Sequence, residues 1–215
     1  MQVPLSGPVD VTGFHTEATR LLARLVPPET VEWSAPPQPK VDERERSEAR
    51  ATIQNRAARA IVPQSFVRLS ELVVMHRDAL RFDLLYRSLW RLVYEPALRH
   101  DTADADMAKL RQMAQSVRRD IQKMKTHLAF RTLQLKGRAV QVCWYQPVHF
   151  VTEVVAQGLT MRQPGVSWLL LSPDRSLWWD GGRLMSAPGL QPEQQPQSSA
   201  DEGAWTKVLE ALPWL

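Results

Sequence analysis

Residues 107–138 read MAKLRQMAQSVRRDIQKMKTHLAFRTLQLKGR, and two patterns run through them. Apolar residues recur at alternating steps of three and four, which places seven of them on one stripe of a helix: Met107, Leu110, Ala114, Val117, Ile121, Met124 and Leu128. The positions between them are strongly basic. The segment is therefore predicted to be one long amphipathic helix with a buried seam and a cationic face, closed at Lys136-Gly137-Arg138.

The positive charge of the chain is concentrated in this helix. Nine Lys or Arg residues and one acid, Asp120, lie between Lys109 and Arg138, which gives the stretch a charge of +8. The whole chain carries only +4, so the remaining residues sum to about −4. A cationic helix face indicates a surface that binds an anion, although a solvated helix without a partner can have the same composition.

The regions on either side of this helix predict an α+β fold. Before it, apolar residues at helical spacing predict helices over about 11–25, 65–75 and 80–94. After it, the period changes to two, and strands are predicted near 140–145, 166–171, 176–179 and 183–185. Pro147 is placed to begin a helix between the first two strands. The expected architecture is a helical N-terminal part followed by a small antiparallel sheet with one crossing helix.

Composition divides the chain into five segments. The expected order is an N-terminal strand-helix segment at 1–33, a variable linker or insertion at 34–61, a main α+β domain at 62–186, a disordered linker at 187–203 and a short C-terminal helix at 204–215. The two linkers are poor in large apolar side chains, so they contribute little to a core.

Overall composition limits the class of protein. A hydrophobic content of 44% and a charged content of 23% are typical of a soluble globular protein, and no apolar run approaches the ~20 residues that span a bilayer. The single cysteine, Cys143, excludes a disulfide framework and a cysteine zinc cluster. The single cysteine and the lack of an evident signal peptide predict a cytoplasmic protein. Because the histidines are also scattered, we expect no bound metal, and no cofactor is expected.

Five segments resemble a known family and follow one another in its order. They read VPPETVEW (26–33), VPQSFVRLSELVVMHRDALRFDLLYRSLWRL (62–92), VRRDIQKM (117–124), WYQPVHF (144–150) and SWLLLSPDRSLWWDG (167–181). They are similar to an uncharacterised domain that occurs at the N-terminus of UdgX-type proteins, the uracil-DNA-cross-linking branch of the uracil-DNA glycosylase superfamily. That domain also stands alone, associated with a radical-SAM protein. The resemblance covers roughly residues 1–33 and 62–209, and it implies a role in DNA metabolism or DNA repair without implying a known reaction.

The chain departs from the family's pattern at two histidines. Where the family has Val-Arg-Arg-Asp-Ile-His-Lys-Met-His, this sequence carries Gln122 and Lys125, and Val148-His149-Phe150 stands for the family's Glu-His-His. A lysine at 125 keeps a positive charge for phosphate but loses acid/base ability near neutral pH. This departure favours a binding protein over an enzyme.

Three functions from different classes remain open. The first is a DNA-metabolism accessory that contacts the nucleic-acid backbone without reading sequence, through Arg118, Arg119, Lys123, Lys125 and Arg131, with Trp178 either stacking on a base or shielding the sheet. The second is an enzyme acting on DNA, with Asp120, His149 and Asp180 as acid/base candidates. The third is a protein-interaction module whose basic face meets an acidic partner. The expected partners are DNA and a radical-SAM or uracil-DNA glycosylase family protein. No association with a membrane is expected.

Overall fold

The computed structural model describes residues 1–36, 62–95, 97–98, 101, 103–135 and 138–191, with 203, 205, 207, 208 and 212 near the end of the chain. Most of the linker predicted at 34–61, and residues 192–202 of the second one, lie outside the described residues. The chain divides into two compact units, 1–118 and 119–215, so the division falls inside the predicted main domain. Within the described residues, no helix is long and apolar enough to cross a membrane.

The first unit combines helices with a short two-stranded sheet. Its elements are β1 (Gln2–Pro4), α1 (Val11–Ala23), β2 (Glu32–Ser34), α2 (Gln64–Val73), α3 (Arg81–Tyr94) and the beginning of α4 (Ala105–His127). The two strands pair in parallel. The ring of Phe14 in α1 lies 5.0 Å from that of Trp33 in β2 and 5.6 Å from that of Phe82 in α3. The predicted N-terminal segment therefore shares one core with the helices that follow residue 62.

Helix α4 is shorter than the sequence predicts. It begins after Asp104, whose carboxylate accepts a hydrogen bond from the backbone N–H of Met107 at 2.8 Å, and it ends at His127 rather than near Arg138. Residues 131–135 form a strand instead, with Leu133 buried between exposed neighbours, which is the two-residue alternation of a strand. The predicted helix stop at Lys136-Gly137 lies outside the described residues.

The second unit is built on a five-stranded sheet. The strands lie in chain order: β3 (Arg131–Leu135), β4 (Arg138–Trp144), β5 (Trp168–Leu171), β6 (Arg175–Trp179) and β7 (Leu184–Pro188). Helix α5 (Thr152–Arg162) connects β4 to β5. The α+β class, with helices first and a sheet later, is confirmed.

The strand pairing and the start of α5 differ from the prediction. Three of the pairings are antiparallel, but β4 and β5 run parallel, so the sheet is mixed. A parallel pair requires a crossover connection, and α5 provides it. The helix begins at Thr152 and not at Pro147, which lies buried in the connection before it.

Both faces of β5, the central strand of the sheet, are covered. All four residues of β5 are buried, as its continuous apolar run predicts. On one face, Leu133, Val142 and Leu169 form an apolar cluster with Trp205 and Leu212 from the end of the chain. Helix α5 packs against β6.

Strand β7 extends two residues into the segment predicted as a linker. Its Ala187 is buried, and the backbone N–H of Leu190 then donates to the carbonyl of Ser172 at 3.0 Å. A Cβ on Gly189 would overlap the carbonyl of Pro173, so glycine permits this close approach. Residues 187–191 are therefore part of the packed unit.

Candidate nucleic-acid interface

The exposed face of α4 carries four of the predicted backbone contacts. Arg118, Arg119, Lys123 and Lys125 are all exposed, whereas Val117 and Met124 on the seam are fully buried. At 3.6 residues per turn, Arg118 and Lys125 lie on one edge of the helix, separated by roughly 10 Å along its axis. Arg119 and Lys123 lie about one turn apart on the other side of the exposed face. The helix therefore presents a broad cationic surface.

The charges on this surface are not neutralised within the described part of the chain. None of the four side chains forms an ion pair with a described residue. The one acid in this part of the helix, Asp120, is only 5% exposed, and its Oδ2 accepts a hydrogen bond from the backbone N–H of His149 at 2.8 Å. Asp120 is thus turned away from the cations that flank it in the sequence.

The structure separates Arg131 and Trp178 from the helix face. Arg131 lies in strand β3 and is half-buried, with its guanidinium carbon 5.2 Å from the centre of the Trp205 ring. Trp178 lies in β6, packs against the apolar cluster on the sheet, and donates its Nε1–H to Ser167 Oγ at 3.2 Å. Both side chains contribute to the packing of the sheet.

The acid/base candidates have structural partners. Asp120 anchors the backbone at His149, which is itself buried. Asp180 lies in the exposed turn after β6, where its Oδ1 accepts hydrogen bonds from the backbone N–H groups of Gly182 and Arg183, and these bonds lower the pKa of its carboxyl. Burial raises the pKa of the Tyr145 hydroxyl, and the negative charge of Asp120 raises it further. Among the residues that the structure describes, no group of three or more His, Cys, Asp or Glu could hold a metal ion.

Sequence reasoning did not identify a surface depression beside Lys125. This depression, the α4–α5 pocket, has a volume of about 200 Å³. Its walls come from both helices: Lys125, Val155, Gly158, Leu159, Met161 and Arg162. The signal available in the sequence was Gly158, a glycine within a run whose spacing is otherwise helical. In the structure Gly158 is an interior residue of α5.

No curated protein and no solved structure is significantly similar to the chain. Residues 79–206, more than half of the chain, match a family model, which confirms the presence of an uncharacterised domain. The matched region contains α3, α4 and the whole sheet. The chain belongs to the family described as Domain of unknown function DUF4130.

Proposed function

We propose that this chain is an accessory protein of DNA metabolism or repair that binds the nucleic-acid backbone through helix α4. The observation that carries the proposal is a set of four exposed cations within two turns of one helix that form no ion pair with a described residue: Arg118, Arg119, Lys123 and Lys125. Lys and Arg contacts to phosphate supply affinity and register but carry no sequence information. The expected activity is therefore binding that is independent of base sequence.

The position of Asp120 supports this proposal. A carboxylate on the exposed face would repel phosphate and pair with the neighbouring arginines. Its burial against the backbone of His149 leaves the cations available to a partner with negative charge. We leave Arg131 and Trp178 out of the proposed contacts, because the ring of Trp205 and the hydroxyl of Ser167 already engage them.

The resemblance in the sequence supplies the biological setting of the proposal. It implies that the chain works beside a radical-SAM protein or a protein of the uracil-DNA glycosylase superfamily. In that setting, sequence-independent binding to DNA would keep the partner enzyme near its substrate. An acidic protein bound to the same face is the competing explanation, and naked DNA distinguishes the two.

Charge reversal on the helix face tests the proposal. We expect Arg119→Glu with Lys123→Glu to weaken binding to a naked duplex by at least roughly 30-fold, because the two lost contacts alone contribute about 1 kcal/mol each in a water-like dielectric and the glutamates add repulsion. The fold should persist, since glutamate is a good helix former and the seam is untouched. Fluorescence anisotropy with a labelled duplex measures the effect.

The matched control reverses two exposed arginines elsewhere, Arg24→Glu with Arg68→Glu, and changes the net charge of the chain by the same amount. We expect its affinity to stay within about threefold of the wild type, since salt screens exposed charges that make no direct contact with the DNA. Equal losses in both variants would show that net charge, rather than α4, governs binding. Unchanged affinity in a folded α4 variant would favour the protein-interaction module.

A further inference from the structure

The α4–α5 pocket combines two cations with an apolar wall. Lys125 and Arg162 are both exposed, and neither forms an ion pair with a described residue. Each lies in the last turn of its helix, where the helix dipole places about half a negative charge. Two full positive charges exceed those two half charges, so the pocket remains attractive to an anion.

Gly158 lines this pocket, and close packing does not explain why this residue is a glycine. A glycine inside a helix costs up to about 1 kcal/mol relative to alanine. Close packing often explains such a residue, but a Cβ built on Gly158 would meet nothing within 4 Å. The missing side chain instead leaves space in the pocket that Lys125 and Arg162 also line, and a larger side chain at this position would fill part of it.

An exposed apolar strip runs along the same helix. Val154 and Met161 stand on either side of Gly158 at positions four before and three after it, so the three share one face of α5. Met161 is 78% exposed and Val154 is 38% exposed. The thioether of methionine is flexible and polarizable, and it makes favourable contacts with aromatic rings. The strip therefore offers an adaptable surface beside an anion site.

We infer that the α4–α5 pocket binds one nucleotide unit of single-stranded DNA. The phosphodiester lies between Lys125 and Arg162, and the attached base contacts Met161. In a duplex the base is held in the helical stack and cannot reach Met161, whereas an unpaired base can turn onto it. This inference rests on the proposed backbone binding and adds a preference for one strand form.

Filling the pocket tests the inference. We expect Gly158→Leu to weaken binding of a labelled oligothymidylate of about 12 nucleotides roughly tenfold, because one nucleotide unit loses its phosphate and base contacts. Binding of a duplex of the same length should change by less than about twofold, because all four α4 cations keep their side chains and the bases of a duplex do not enter the pocket. Gly158→Ala is the matched control and should bind like the wild type, since its methyl group fills little of the pocket.

Met161→Gln provides an independent variant that keeps the side-chain length on an exposed position. It should weaken single-strand binding alone by about threefold, since a single flexible side chain contributes less than an aromatic platform. Equal affinity of the wild type for both strand forms, or unchanged single-strand binding in both variants, would overturn the inference. Either result would favour a protein partner as the ligand of the apolar strip, and the proposed backbone binding by α4 would be unaffected. A wild-type protein that binds neither DNA form would instead refute the proposed function.

Discussion

The two ends of helix α4 use charged side chains in opposite ways. At its start, Asp106 accepts two hydrogen bonds from the guanidinium of Arg87, at 2.7 and 2.9 Å, and Asp104 lies 2.8 Å from Arg91. Near its end, Arg119 and Lys123 have no ion pair with a described residue. Arg87 and Arg91 of α3 therefore form ion pairs that stabilise the fold, whereas Arg119 and Lys123 of α4 form none with the described residues. A count of basic residues alone does not distinguish these two uses.

The strongest test of this difference removes Asp104 at the start of the helix. Asp104→Ala deletes the cap on the N–H of Met107 and the partner of Arg91, and its side chain is only 7% exposed. We expect a loss of about 2 kcal/mol, roughly half from the cap and half from the ion pair. Chemical denaturation measures the free energy of unfolding.

The matched variant Asp104→Asn keeps a capping oxygen but removes the charge, so about half of the stability should return. DNA affinity should stay within about twofold in both folded variants, because neither touches the exposed face. A large loss of DNA affinity in Asp104→Asn would show that the two ends of α4 are not functionally distinct.

A smaller loss of stability is expected at acidic pH. The hydrogen bond from Arg87 lowers the pKa of Asp106 below its ordinary value of 3.8. The stability from this pair is therefore fully present above that value and is lost as the pH falls through the lowered pKa. The contribution should stay below about 1 kcal/mol, since the Arg87 side chain is 51% exposed and solvent screens the pair.

Arg87→Gln removes the cause of the shift, so its loss of stability between about pH 5 and about pH 2.5 should be smaller than that of the wild type. Urea midpoints at several pH values provide the comparison, with Arg68→Gln as the control for removing an exposed arginine. The same acid dependence in Arg87→Gln and the wild type would show that other carboxylates dominate this window.

Features fixed by neighbouring residues could be predicted from the sequence. Asp10 is a preferred N-cap residue immediately before the apolar spacing of α1, and its Oδ1 accepts a hydrogen bond from the backbone N–H of Gly13 at 2.8 Å. Helix α3 follows the predicted range closely, because its apolar spacing and the proline after Glu95 both act locally. The seam of α4 is also a local pattern.

Features that depend on distant partners could not be predicted in the same way. Leu128 continues the helical spacing of α4, yet the segment after it pairs with β4, where Leu133 faces Val140 across the ladder. The pairing with β4 ends the helix, and no residue in the local sequence indicates where the helix stops. The parallel contact between β4 and β5 has the same origin, since the hydrophobic pattern of a strand does not specify its direction.

The candidate site shows the same limit. The charges of Arg118, Arg119, Lys123 and Lys125 are visible in the sequence, but the sequence does not show that the carboxylate of Asp120 is directed to the backbone of His149 rather than to these cations. The position of Gly158 beside Lys125 is also set by the packing of α5, which the sequence does not reveal. Sequence therefore predicted the cationic face and missed the pocket next to it.

The dependence of DNA affinity on salt tests the central claim most directly. If the four exposed cations of α4 neutralise about four phosphates, the logarithm of the association constant for duplex DNA should fall against the logarithm of salt concentration with a slope of about −3.6. Arg119→Gln with Lys123→Gln should reduce the slope to about −1.8 and change the stability by less than about 0.5 kcal/mol. Asp104→Asn should leave the slope at the wild-type value. A slope near zero in the wild type, or the same slope in the double variant, would contradict the assignment of backbone binding to this helix face.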